Sequence, residues 1–282
     1  MRARRLAGGG RSTLRAVRVV TLMVALVTLA GCGGGGPAQK AAREPTPAPR
    51  TDAAAVASRA RVPILCWHQI RPATAADGAR DRTYIVSPGV LAAQLDALDR
   101  AGYHAVTGEA LVGHVARGTP LPPKPVLLTF DDASAGQYTR ALPLLRRHRF
   151  VATFFVMTVV LDKPGWLTGE QVRRLDRAGM TVAAHTHDHH SVPDYADGDW
   201  ETQLVAPAAE LARLVGHPVR LFAYPNGLWS REAFAHLDAA GYVAAFQLAD
   251  RLDRRDPLWT LRRIIVPEMS GRELLRQMRA DF

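Results

Sequence analysis

Pro125-Val126-Leu127-Leu128-Thr129-Phe130-Asp131-Asp132 and Met180-Thr181-Val182-Ala183-Ala184-His185-Thr186-His187-Asp188-His189 decide the reading of this chain. Each begins as an apolar run of strand length and ends in side chains able to ligate metal. In α/β proteins ligands bind at the carboxyl ends of parallel strands, so both clusters fall where a site is expected. Two carboxylates with two or more imidazoles form the donor set that a catalytic divalent metal with an open coordination position requires.

Working outward, strand-like runs occupy 62–67, 104–107, 125–130, 152–157, 181–185, 220–225, 243–248 and 261–266. Helices with legible ends lie between them. Ser87-Pro88 opens one that carries Leu91, Leu95 and Leu98 on one face and stops at Gly102. Thr168-Gly169-Glu170-Gln171 is a capping box leading to Val172 and Leu175, with Gly179 as terminator. Ser230 opens another, with Phe234 and Leu237, ending at Gly241. Alternating strands and helices predict an α/β fold with a parallel sheet, either open and doubly wound or closed as a barrel. Periodicity does not choose between them.

The 282 residues, 48% of them apolar, suffice for one large domain with a sizeable core. The formal charge of +10 is concentrated at the N-terminus. Residues 1–31 hold six arginines and no acid, which leaves 30 basic against 26 acidic residues elsewhere. The high net charge therefore gives no support to a nucleic-acid partner. An Arg-rich start followed by the 13-residue apolar run Val19–Gly31 has the layout of a secretory signal, too short to span a bilayer as a permanent helix. Leu29-Ala30-Gly31-Cys32 resembles a bacterial lipobox, which implies lipidation of Cys32 and anchorage to a membrane outside the cytoplasm. Residues 32–60, rich in Gly, Ala and Pro, read as a flexible tether, and 61–282 as the folded domain. With Cys32 lipidated, Cys66 has no partner and is expected to be a buried, inert thiol.

The chain resembles the polysaccharide deacetylases of the NodB-homology group, carbohydrate esterase family 4. Thr129-Phe130-Asp131-Asp132 matches the first motif, with Ala133 where glycine is usual. His185-Thr186-His187-Asp188-His189 matches H-[ST]-x-x-H, and Phe222-Ala223-Tyr224-Pro225-Asn226-Gly227 is a variant of the third motif, usually around R-P-P-Y-G. The resemblance covers about residues 61–270. It implies a distorted (β/α) barrel as a single catalytic domain, and hydrolysis of N-acetyl, sometimes O-acetyl, groups on polysaccharides.

The resemblance assigns Asp131 as general base and Asp132, His185 and His189 as ligands of a divalent metal, zinc first, with cobalt or nickel as alternatives. Such an ion can bring the pKa of bound water to roughly 7. Both carboxylates can serve one site only where the strand turns into its loop, because successive strand residues face opposite ways. His185 and His189 are four apart, so one helical turn would place both imidazoles on one side. His190 is the alternative ligand if the spacing is five.

No histidine follows His236, which sits in a helical stretch, so the late histidine that serves many relatives as acid is missing. A subset acting on extracellular poly-N-acetylglucosamine carries an early histidine after an apolar strand. Val62-Pro63-Ile64-Leu65-Cys66-Trp67-His68 has that form and makes His68 the expected general acid. The resemblance also implies that the backbone N–H of Asn226, the matching position of the third motif, is the oxyanion donor. Ala223 stands where arginine is usual, and Arg263 is either its replacement beside Asp131 or a surface arginine on an edge strand. Trp166, Trp229 and Trp259 are candidates for stacking on sugar rings.

These residues predict a lipid-anchored, metal-dependent N-deacetylase acting on a poly-β-1,6-N-acetylglucosamine type polymer. It would be monomeric and placed beside exopolysaccharide synthesis or export machinery. Peptidoglycan or chitin-like oligosaccharide, acetylxylan, and a catalytically weak carbohydrate-binding role are the alternatives.

Overall fold

A computed structural model describes residues 52–248 and 251–282. The strands are β1 (Ile64–Trp67), β2 (Gln69–Ile70), β3 (Ile85–Val86), β4 (His104–Ala105), β5 (Pro125–Asp131), β6 (Thr153–Val156), β7 (Thr181–Ala184), β8 (Leu221–Ala223), β9 (Ala244–Leu248) and β10 (Leu261–Ile265). The main sheet runs β1-β10-β9-β8-β7-β6-β5 in parallel, and β1 also pairs with β5, from Ile64↔Leu127 to Trp67↔Phe130. That pairing closes a seven-stranded ring. Of the eight strand-like runs in the sequence, only 104–107 stands outside it. There β4 lies along Pro125 and Val126, at the end of β5 that β1 does not reach.

The ring strands are largely buried on both faces, which is why they read as continuous apolar runs. Alternate residues divide between two cores. Ile64, Leu127, Phe155, Ala183, Leu221, Ala223, Ala244, Phe246 and Leu261 fill the barrel and pack on Leu111, Val112 and Val115 of helix Gly108–Arg117. Leu65, Trp67, Leu128, Phe130, Phe154, Val182 and Phe222 face the surrounding helices. The inward parity then continues upward through buried Cys66, His68, Thr129, Asp131, His185 and Arg263. The polar layer above the apolar filling is thus fixed by strand period.

Helix Pro88–Arg100 is capped by Ser87 and buries Leu91, Leu95 and Leu98, and helix Gly169–Arg177 carries the Thr168/Gln171 capping box. Ser230 does not cap its helix, which spans Glu232–Ala239 with Arg231 at the N-cap position. The tether does not extend to Ala60. Ala53–Arg59 is a helix capped by Asp52, with Val56 buried. Arg59 donates to the carbonyls of Val115 (2.8 Å) and Ala116 (3.1 Å), at the end of helix Gly108–Arg117, where helical carbonyls lack partners. The signal segment, Cys32 and the rest of the tether lie outside the described residues. No helix among the described residues is long and apolar enough to cross a membrane.

Candidate active site

Asp131 ends β5 and is met by Arg263 of β10 across β1. Nη1 reaches Oδ1 at 2.7 Å and Nη2 reaches Oδ2 at 2.8 Å, a bidentate pair with both residues buried. Arg263 also donates to Thr129 Oγ1 at 3.3 Å and lies 5.0 Å from the Phe155 ring centroid. The edge-strand alternative for Arg263 is therefore overturned, since β10 sits between β1 and β9 and this residue faces the barrel interior. Burial would raise the Asp131 pKa. The charge and hydrogen bonds of Arg263, with His185 and His68, outweigh it and hold the carboxyl well below the usual carboxylate range.

At Asp132 the strand period breaks. Asp132 and Ala133 take φ 76° and 70°, so the second carboxylate turns toward the same site as the first. Asp132 Oδ1 lies 3.4 Å from His185 Nε2 and 3.8 Å from His189 Nε2, is buried, and has no well-formed hydrogen bond. His185 Nδ1 is 2.8 Å from the Ala223 carbonyl, so the proton belongs on Nδ1 and the Nε2 lone pair faces Asp132. Burial lowers the His185 pKa, but Asp131 and Asp132 outweigh it and the net direction is up. Burial and the neighbouring His185 push His189 down. Ligand atoms of Asp132, His185 and His189 lie within 4.8 Å of one another. An orphaned carboxylate oxygen beside a correctly oriented imidazole fits a two-histidine, one-carboxylate metal site.

The histidines do not meet on a helical turn. After β7 the chain enters a loop in which Thr186 and His189 take φ 65° and 70°. A β-branched residue in that region costs about 1–3 kcal/mol, strain of the kind found at functional sites. His189 N–H donates to Thr186 Oγ1 at 2.9 Å. His190 points elsewhere, 3.8 Å from Asp199 and edge-on to Tyr195.

His68 follows β1 and is 7% exposed, with Nε2 4.0 Å from Asp131 Oδ2 and the ring edge-on to Tyr84. Burial pushes its pKa down, against the pull of Asp131 and Asp132. Cys66 is fully buried and its thiol is pushed up by burial, which keeps it protonated. Asn226 is exposed in a left-handed turn (φ 56°). Gly227 follows at φ 72°, where a Cβ would lie 2.5 Å from the Leu248 nitrogen. Ala223 supplies no side-chain contact to Asp131; its carbonyl orients His185 instead. Trp229 and Trp259 both stack on Phe234, at 5.4 and 6.3 Å, and Trp166 pairs through its backbone with Ser134.

Two glutamines escaped the sequence reading. Gln137, in the π turn Gln137–Ala141, donates to the carbonyls of Asp131 (2.5 Å) and His68 (2.9 Å). Gln203, in the π turn Glu201–Val205, accepts from the His187 and Asp188 N–H groups at 3.1 and 3.4 Å. It also donates to Asp188 Oδ1 at 3.0 Å. Neither belongs to a spacing pattern, and nothing short of the fold could single them out.

A closed parallel barrel with an acid pair and two imidazoles at the carboxyl ends of its strands defines a barrel hydrolase with a metal-competent site. Residues 118–245 match the family described as Polysaccharide deacetylase. The matched residues carry a polysaccharide deacetylase domain of the NodB-homology type. It is 24% identical over 214 residues to YxkH of Bacillus subtilis (strain 168), named as a polysaccharide deacetylase, covering 75% of this chain and 74% of that protein. It is 28% identical over 246 residues to the poly-β-1,6-N-acetyl-D-glucosamine N-deacetylase of Escherichia coli (strain K12), covering 72% of this chain and 36% of that longer relative. The fold matches the Streptococcus pyogenes deacetylase PplD in complex with acetate, with a TM-score of 0.71, 24% identity, and coverage of 77% of this chain and 97% of that one.

Proposed function

We propose that this chain is a metal-dependent N-deacetylase of an extracellular N-acetylglucosamine polymer of the poly-β-1,6 type, held at a membrane by lipid on Cys32. The observation that carries the reading is the gathering of Asp132, His185 and His189 around an unpartnered carboxylate oxygen, with Asp131 and His68 alongside. The E. coli relative's name and the early histidine support the choice of polymer. The N-terminal signal and lipobox-like segment support an extracytoplasmic location, a monomer beside exopolysaccharide synthesis or export machinery.

Asp132, His185 and His189 would hold the ion, zinc first, with cobalt or nickel as alternatives. When bound, it supplies Lewis-acid polarisation of an acetyl carbonyl and acidifies water at the site. Asp131, kept ionised by Arg263, accepts a proton from the attacking water. So depressed a carboxylate is a weak base, which is why it needs water made acidic. The Asn226 N–H is the donor to the developing oxyanion. His68 delivers a proton from Nε2 to the departing amine, an anion of which is too poor a leaving group to depart unprotonated.

Acetate release from β-1,6-linked N-acetylglucosamine oligomers, abolished by chelator and restored by zinc, cobalt or nickel, is the expected result. Peptidoglycan, chitin oligosaccharides and acetylxylan complete the panel. Glycan binding without acetate from any of them would leave a carbohydrate-binding protein and end the enzymatic reading.

The histidine assignment has its own test. His189→Ala is expected to lose most bound metal, whereas His190→Ala retains it, as measured by metal content after dialysis. The reverse pattern would move the ligand to position 190.

A further inference from the structure

We infer that Gln137 and Gln203 are positioning residues with separate tasks, Gln137 setting the base against the acid and Gln203 holding the loop that presents His189. The inference rests on the roles proposed above for Asp131, His68 and the ligand set.

Gln137 lies at the seam where the barrel closes. The last paired residues of β1 and β5 are Trp67 and Phe130, so His68 and Asp131 form the next rung. The main chain cannot extend the ladder there, because Asp132 turns into a left-handed conformation. A single side-chain amide replaces it, its Nε2 bonded to the carbonyls of both His68 and Asp131. Ser134 Oγ adds a second donor to the His68 carbonyl at 3.2 Å. The amide has one usable orientation, since a flip would set its oxygen against two carbonyl oxygens. Its Oε1 is buried with no partner, so the side chain is held there by what Nε2 does. Gly136 presses the turn onto the chain after His68, where a Cβ would fall 2.2 Å from the Ile70 carbonyl oxygen.

Gln203 treats the second motif in the complementary way. It is 2% exposed, and its Oε1 gathers the N–H groups of His187 and Asp188 while its Nε2 holds the Asp188 carboxylate. Those residues lie between the two histidine ligands, in the loop strained at Thr186 and His189. Both glutamines sit in π turns, irregularities that recur at functional sites.

The full chain carrying Gln137→Met or Gln203→Met tests the division of tasks, since Met keeps the length and removes the hydrogen bonds. For Gln137→Met, kcat is expected to fall about 100-fold, the cost of roughly an ångström of misplacement, with KM and zinc affinity near wild type. The His68 imidazole resonances should shift in NMR spectra whether or not a substrate is turned over. For Gln203→Met, zinc affinity measured by calorimetry is expected to fall by about 10- to 100-fold, with kcat at saturating zinc near wild type. Gln203→Glu keeps the acceptor but sets a second carboxylate against Asp188, and should not recover that affinity. If Gln137→Met does not fold, Gln137→Asn keeps the amide but reaches only one carbonyl, and the same kcat loss is expected. The inference is overturned if the variants match wild type in all these measurements, or if each loses kcat and zinc affinity together in proportion to its loss of melting temperature. A wild-type protein that releases no acetate would defeat the proposed function, while the calorimetry and NMR would still decide the positions of the two glutamines.

Discussion

Asp132→Ala is expected to strip the protein of its metal and its activity together, whereas Asp131→Asn should keep the metal and lose the activity. Asp132 Oδ1 is buried without a well-formed hydrogen bond, and both histidine Nε2 atoms lie within 3.8 Å of it. Its removal should weaken metal binding by more than the 10- to 100-fold typical of losing an outer hydrogen-bond partner. Asp131 instead directs both oxygens at Arg263. Asparagine there preserves shape and one acceptor, so metal content after dialysis should stay within about twofold, while loss of a general base lowers turnover by about 10²–10⁴-fold. Loss of metal from Asp131→Asn would show that the two carboxylates do not divide the work in this way.

Arg263→Met should be among the most destabilising single changes in the barrel. It leaves the Asp131 charge buried without its bidentate partner, a change that costs about 3–5 kcal/mol. For a domain of this size that corresponds to a fall of about 10 °C in melting temperature. The pair itself is not a large source of stability, because desolvation of two ions offsets most of their attraction. The double variant Arg263→Met with Asp131→Asn removes both charges and should recover more than half of the loss. If Arg263→Met alone melts with wild type, or the second change brings no recovery, the buried pair does not govern the site's integrity.

The ring strands were legible because each is an apolar run of strand length, and the site because polar residues continue those runs on the inward parity. Closure is legible in the family resemblance but not in the periodicity. It depends on β1 pairing with both β5 and β10, and no local pattern encodes a distant neighbour. The histidine spacing suggested a helical turn, but Thr186 and His189 adopt positive φ, a conformation their side chains do not favour and only the surrounding loop imposes. Ala53–Arg59 has the composition of a tether because it is as Ala-rich as the segment before it; only its packing of Val56 marks it as part of the fold. Arg263 stayed ambiguous because a charged residue in a strand reads as solvent-facing until the strand is known to be internal.

The closing seam also bears on the order in which the protein is made. Leu65 pairs with Ile264 and Ile64 with Leu127, so β1 emerges first and its second neighbour emerges last. At roughly 5–20 residues per second, about 10–40 s of synthesis separate the two. β5 can pair with Ile64-Leu65-Cys66-Trp67 early in that interval, but the edge that β10 takes stays open throughout it. The ring therefore cannot close until its last strand is made, however early the first two meet.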